Sequence, residues 1–202
     1  NPLTPMKLSV QSFQKGFDIN DQNVHDKLDE FIQTLIQQID TMSSIASAFS
    51  NFAEMPAQQG EKINIIQTIR LALEIFKEKH IKFISDFKDI QVNIDRTQMV
   101  RIITNLVKNA IQACETIEKP LIQVFIKKKK NNIVIEIKDN GIGISKSIGK
   151  KIFEPNFTTK TSGMGLGLGM VKNLVNSYDG KITFKSKINS GASFLISFPI
   201  SK

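Results

Sequence analysis

Leu28, Leu35, Met42 and Phe49 recur at every seventh position, and Ile32, Ile39, Ala46 and Ala53 repeat that interval four residues later. These are the two apolar positions of a heptad, so this stretch calls for a long helix buried against other helices. Phe31, Ile45 and Phe52 widen the stripe beyond a two-helix seam, which favours a four-helix bundle. Upstream, Leu3, Met6, Val10, Phe13 and Phe17 step by three or four, giving a second amphipathic helix that Gly16 can end. Pro5 should kink or loosen its first turn. Two helices make only half a bundle. The spacing therefore predicts a hairpin over residues 1–54 that pairs with a second copy of the chain, the alternative being a hairpin packed on its own C-terminal domain. Pro56 and Gly60 mark a short linker, dividing a domain over 1–57 from one over 58–202.

Beyond the linker the periodicity mixes. A helix is expected from Ile66 to His80, with a short β-like run at INII and strands at KFISDF and QVNI. Asp95 is placed to cap a helix running to about Thr116, with Met99, Ile103, Leu106, Ala110 and Cys114 on one face. Strands follow at 121–128 and 132–139, then a long loop from Gly141 to Gly163 and a helix from about Leu166 to Tyr178. KITFKS and ASFLISF are the last two strands. The expected class is α+β, a mixed sheet with helices stacked on one face. No apolar run approaches the ~20 residues that span a bilayer, and no leader reads as a secretion signal. The single cysteine, Cys114, reads as a small buried hydrophobe.

The net charge of +8 raises nucleic acid as a partner. Its densest run, Lys127–Lys130, falls between LIQVFI and IVIEI and reads as the solvated tip of a β-hairpin. With one tyrosine, no tryptophan and no interleaved aromatics nearby, a base-stacking platform is missing, and no nucleic-acid partner is expected.

The stretch TSGMGLGLG bares the backbone at 163, 165, 167 and 169. It is not a Walker A loop, because the one GK after a glycine loop, Gly149-Lys150, has Ile144 where the first glycine should be. Nor is it a dinucleotide fingerprint, since Leu168 or Met170 stands where the third glycine is needed. A helix follows, and its N-terminal amides and dipole suit phosphate. Asn105 and Asn109 lie four apart on one helix face; two such carboxamides can simply face solvent, or an Asn oxygen can ligate a hard cation. Asp139 ends a strand just before the sharp DNGIGI turn; it can cap that turn or accept from an exocyclic amine such as that of adenine. Gly141 and Gly143 would let the backbone pass close to a flat base.

In this order, QMVRIITNLVKNAIQA, DNGIGI, FEPNFTTK and GMGLGLGMVK resemble the N, G1, F and G2 boxes of the ATP-binding domain of sensor histidine kinases. That domain has the Bergerat or GHKL fold, an α/β sandwich shared with Hsp90, MutL and gyrase B. The resemblance runs from about residue 61 to the end and extends to the hairpin. NPLTPMKLS is similar to the latter part of the phosphoacceptor box H-E-x-x-N-P-L-T, and FSNFAEMP suits the second helix of NtrY-like nitrogen-regulation kinases.

The resemblance implies ATP and Mg²⁺ as cofactors, with Asn109 as the metal ligand and Asn105 on the triphosphate side. ATPase relatives carry Glu at the position of Asn105 to activate water, a task an amide cannot perform. Asp139 would accept from the adenine amine, beside Gly141 and Gly143. Gly163, Gly165, Leu166 and Gly167 would wrap the phosphates. Residues 145–162 would form a lid anchored by Phe153 and Phe157, with Lys160 reaching the β- or γ-phosphate. Ala192 removes a hydroxyl that the family often places near the adenine.

Asn1 matches the residue that orients water during dephosphorylation of a receiver. The histidine of the box would fall four residues before Asn1, and neither His25 nor His80 has the box around it. The implied activity is transfer of the ATP γ-phosphate to that histidine and onward to a response-regulator aspartate. The implied partners are a second copy through residues 1–54 and a receiver domain. The full-length protein would face the cytoplasm from the membrane through segments outside this sequence. Residues 1–202 by themselves are expected to be soluble and unable to phosphorylate themselves. The alternative is a dimeric, nucleotide-responsive binding module without transfer activity.

Overall fold

Every second residue of the central strands is buried, and that alternation sets the architecture. In β4 (Ile122–Lys129) these are Ile122, Val124 and Ile126; in β5 (Asn132–Asp139), Ile133, Ile135 and Ile137; in β7 (Ala192–Pro199), Phe194, Ile196 and Phe198. Period-two burial of this kind gives a sheet with one face in the core and one toward water. With β2 (Ile81–Ser85) and β6 (Lys181–Ser186), the five strands run in the order β2-β4-β5-β7-β6. The β2–β4 pair is parallel and the rest are antiparallel. The computed structural model describes residues 3–16, 24–53, 60–77, 80–149, 151–154, 157 and 167–200.

Helices α3 (Ile65–Glu74), α4 (Arg96–Ala113) and α6 (Gly167–Ser177) complete the core. Met99, Ile102, Ile103, Leu106, Val107 and Ala110 of α4 are all buried, while Lys108 stays in water. A separate two-stranded ribbon joins β1 (Lys62–Asn64) to β3 (Gln91–Asn93). Caps start the helices where the side chains dictate. Asp95 Oδ1 accepts from the Gln98 amide at 2.9 Å, and Asn64 Oδ1 from the Ile66 amide at 3.0 Å. The Asp95 amide in turn donates to the Tyr178 hydroxyl at 3.4 Å, tying the start of α4 to the residue after α6.

Several boundaries differ from the sequence reading, among them Ile65 and Ile66, expected in a β-like run or at a helix start and both found in α3 after the Asn64 cap. α3 stops at Glu74 rather than His80, because its buried stripe of Ile65, Ile66, Ile69 and Ala72 runs out and Ile75 is 62% exposed. Without a face to bury, a short helix is marginal in water. α4 ends at Ala113, where Cys114 takes the C-cap position. The stretch after Gly141 contains a one-turn helix, α5 (Lys146–Gly149).

The chain divides into two compact units, one holding α1 (Leu3–Gly16) and α2 (Val24–Ala53) and the other the elements from β1 onward. In the first, the rings of Phe13 and Phe31 stack 4.0 Å apart. Pro5 is the third residue of α1, where its missing amide would have no partner within the helix, so it interrupts nothing. Ile32, Ile36 and Ile39 remain largely exposed on α2, Ile39 by 51%. The heptad positions Ala46, Phe49 and Ala53 lie beyond the described side chains. Among the described residues no helix is long and apolar enough to cross a membrane.

Ile135 is fully buried, paired with Ile126 on one side and Ile196 on the other. Ile135→Ala is expected to destabilise the sheet domain by about 2–5 kcal/mol through lost transfer energy and a residual cavity. A urea titration should show the midpoint falling with the slope unchanged.

Candidate functional site

Asp139 closes β5 with its side chain on the core face and is 4% exposed. Its Oδ1 accepts from two amides, Gly141 at 2.9 Å and Ala192 at 3.1 Å, and neither bond uses Oδ2. The Gly141 bond is the turn cap that an Asp-Asn-Gly sequence invites. Burial pushes the carboxyl pKa above its ordinary 3.8, while the backbone amides that bond it pull the other way. The result is a buried acceptor with fixed orientation, suited to an N–H donor.

Glycines hold this corner closed. A Cβ on Gly141 would run into the carbonyl oxygen of Ala113, the last residue of α4. Gly191, with φ +84°, would meet the carbonyl of Asp139 itself. Gly143, with φ +73°, faces the Lys187 carbonyl in the turn before β7. What an added Cβ would meet at Gly141 and Gly143 is mainly protein backbone.

Asn140, which sequence reasoning passed over, clamps the same corner. Its Nδ2 donates to the Lys119 carbonyl at 2.9 Å, and its Oδ1 accepts from the Leu121 amide at 2.8 Å. The Cys114 thiol also donates to Oδ1, at 3.6 Å. The clamp joins the exit from α4 to the end of β5, beside Asp139. The sequence signal is only an Asn before Gly, a turn pair, and it does not disclose partners about twenty residues upstream.

The second part of the site is the α4–α6 contact. Asn105 Nδ2 donates back to the Arg101 carbonyl at 2.8 Å. Its Oδ1 faces α6, where a Cβ on Gly167 would stand 3.2 Å away. Gly167 is the first residue of α6, so Asn105 sits beside a helix start whose first amides lack acceptors within the helix. Asn109 lies one turn further along α4 and is half-buried. Among the described residues no group of three or more His, Cys, Asp or Glu could hold a metal.

Phe153 packs edge-on against Phe184 and Phe194, at 6.0 and 6.5 Å between centroids, and Phe157 also packs against the core. Ser193 does not stand in for the hydroxyl that Ala192 lacks. Its Oγ donates to Glu136 at 2.7 Å, on the other face of the sheet from Asp139. Asn1, Lys160, Gly163, Gly165 and Leu166 lie outside the described residues.

Residues 94–202 match the family described as histidine kinase-, DNA gyrase B- and HSP90-like ATPase. The signal transduction histidine-protein kinase AtoS of Escherichia coli is 29% identical, with 99% of this chain and 33% of AtoS covered. A putative NtrY-like sensor histidine kinase of Rickettsia conorii is 30% identical, covering 99% of this chain and 34% of the relative. The chain thus spans about a third of the length of these curated relatives. Among solved structures, the catalytic domain of histidine kinase ThkA is 30% identical with a TM-score of 0.63, covering 70% of this chain and 95% of that domain. ThkA in complex with the response regulator protein TrrA aligns over all of this chain and 58% of its own, with a TM-score of 0.73 at 23% identity, a likeness of fold.

Proposed function

This chain belongs to the histidine kinase-, DNA gyrase B- and HSP90-like ATPases, and from that premise we propose that it is the catalytic core of an NtrY-like two-component sensor kinase. Its reaction is transfer of the ATP γ-phosphoryl group to a histidine and onward to a response-regulator aspartate. The observation that carries this reading is the pairing of a buried, oriented carboxylate at Asp139 with an amide-lined helix start at Asn105 and Gly167.

In this reading Asp139 accepts the adenine amine through Oδ2, while the turn at Gly141 and Gly143 lies against the base. The start of α6 receives phosphate oxygens, with Gly163, Gly165, Leu166 and Lys160 completing the cradle. Asn109 offers an amide oxygen to Mg²⁺, a hard cation that takes few protein ligands and keeps waters and phosphate oxygens. When bound, that ion neutralises phosphate charge. Asn105 positions the triphosphate but cannot deprotonate water, so ATP is spared hydrolysis until the accepting histidine arrives.

The exposed stripe of Ile32, Ile36 and Ile39 supports a four-helix bundle formed with a second copy through residues 1–54. The domain boundary then falls between residues 57 and 58. A receiver domain is the proposed partner, with Asn1 orienting water in its dephosphorylation. The cytoplasmic face of the membrane is the proposed location of the whole protein.

The test is calorimetric titration with ADP and a non-hydrolysable ATP analogue, with and without Mg²⁺. Saturable binding strengthened by Mg²⁺ is expected. Asn109→Ala should remove most of the Mg²⁺ dependence, about a tenfold to hundredfold loss for one polar ligand to a charge. Absence of binding by the folded chain would overturn the reading. Transfer is tested separately, by acid-labile labelling of the full-length protein with γ-labelled ATP.

A further inference from the structure

The face of the sheet turned away from the helices is lined with lysines. Register sets Lys127, Val134, Ser197 and Lys181 side by side across β4, β5, β7 and β6. A second row carries Lys82, Gln123, Lys138, Ser193 and Lys185 across all five strands. With Lys129 this makes six lysines on one face. The strands of that face hold a single carboxylate, Glu136, which already accepts from Ser193 at 2.7 Å and pairs with Lys127 at 3.5 Å. The face is therefore a strongly cationic surface, on the opposite side of the sheet from Asp139.

It is also shaped. A groove of about 690 Å³ is lined by the Lys127–Lys130 tip and Lys181 together with Val134, Leu195 and the already paired Glu136. We propose that this groove docks an extended acidic segment of a partner protein, its carboxylates on the rim lysines and its apolar side chains on Val134 and Leu195.

Three observations favour a peptide over other anions. All the rim cations are lysine, so the bidentate grip that arginine gives phosphates is missing. Phe125 is the lone aromatic side chain on these strands of the face, with the Lys127 ammonium 5.3 Å from its ring centre, so there is no row of rings on which successive bases could stack. A lipid headgroup plane would leave the groove unfilled, whereas an extended chain presents alternate side chains at the strand period.

The experiment is a fluorescence anisotropy titration with a labelled peptide of alternating Glu and Leu. A Lys–Leu peptide of equal length, single- and double-stranded oligonucleotides and phosphatidylserine-rich vesicles run alongside at physiological salt. The Glu–Leu peptide should bind and weaken as salt rises, and the Lys–Leu peptide should not bind. Lys129→Glu with Lys181→Glu should cut affinity about tenfold or more, since each reversal replaces an attraction by a repulsion. Lys129→Gln with Lys181→Gln should cut it less and guards against misfolding of the first variant. Neither pair touches the candidate nucleotide site, so ADP titration of the same proteins is expected to be unchanged. The proposal is overturned if the acidic peptide fails to bind or if both lysine pairs leave its affinity unchanged. It is also overturned if oligonucleotides or vesicles bind as tightly and displace the peptide.

Discussion

Asp139→Ala is expected to weaken ADP binding by about tenfold to hundredfold or more, the cost of ~1.5–3 kcal/mol for a hydrogen bond to a charged group. The same loss should appear with and without Mg²⁺, which separates it from the Asn109 variant. Asp139→Asn is the sharper experiment. Its oxygen can still accept from Gly141 and Ala192, so the turn is expected to hold while the charge is gone.

The pH dependence follows from the raised pKa. A carboxyl whose folded pKa lies above the unfolded value opposes folding once it is ionised. That cost is absent below 3.8, grows as pH rises from there toward the folded pKa, and is complete above it. Asp139→Asn should therefore be more stable than wild type at neutral pH and binding-deficient. Nucleotide affinity of the wild type should fall with acidification at a pH above 3.8, as the carboxylate takes up its proton. Calorimetry across acid pH reads the second effect and thermal melts the first; an Asp139→Asn protein that binds ADP normally would remove Asp139 from the site.

Gly191→Ala should cost about 3 kcal/mol or more, which for a domain of this size lowers Tm by roughly 10 °C. Two effects add. The φ of +84° is poorly tolerated by any L side chain, and the new methyl would press on the Asp139 carbonyl. Gly149→Ala is the milder comparison: its Cβ would meet only the edge of the Phe184 ring, at 3.1 Å, rather than backbone. Calorimetric melts should separate the two by several degrees, and equal melts would mean the corner around Asp139 is softer than the geometry implies.

Local patterns made the strands and caps legible. Alternating Ile133, Ile135 and Ile137 fix β5 to its last residue, and Asp95 caps α4 as its position before an apolar periodicity requires. Local chemistry also singles out Asp139, Asn105 and Asn109 as candidates. What could not be read is whatever depends on partners distant in sequence. Asn140 is anchored about twenty residues away, and the close neighbours of Gly141, Gly143 and Gly191 are carbonyls from other elements. The lysine run reads as a solvated tip on its own; only the pairing of β7 with β5 and β6 aligns it with Lys181 and Lys185. The premature end of α3 is likewise a matter of what the helix meets, since Ile75 is as apolar as the residues buried before it.

Cys114 gives the molecule a built-in gauge. It is the only thiol in the chain, buried and bonded to Asn140, and burial, chiefly, pushes its pKa above the ordinary thiol value. Alkylation must wait for that corner to open, so the rate of labelling measures how often the exit of α4 separates from the end of β5. Nucleotide bound at the candidate site beside Asp139 is expected to slow that labelling, a change read as a chemical rate constant with no reporter group added to the protein.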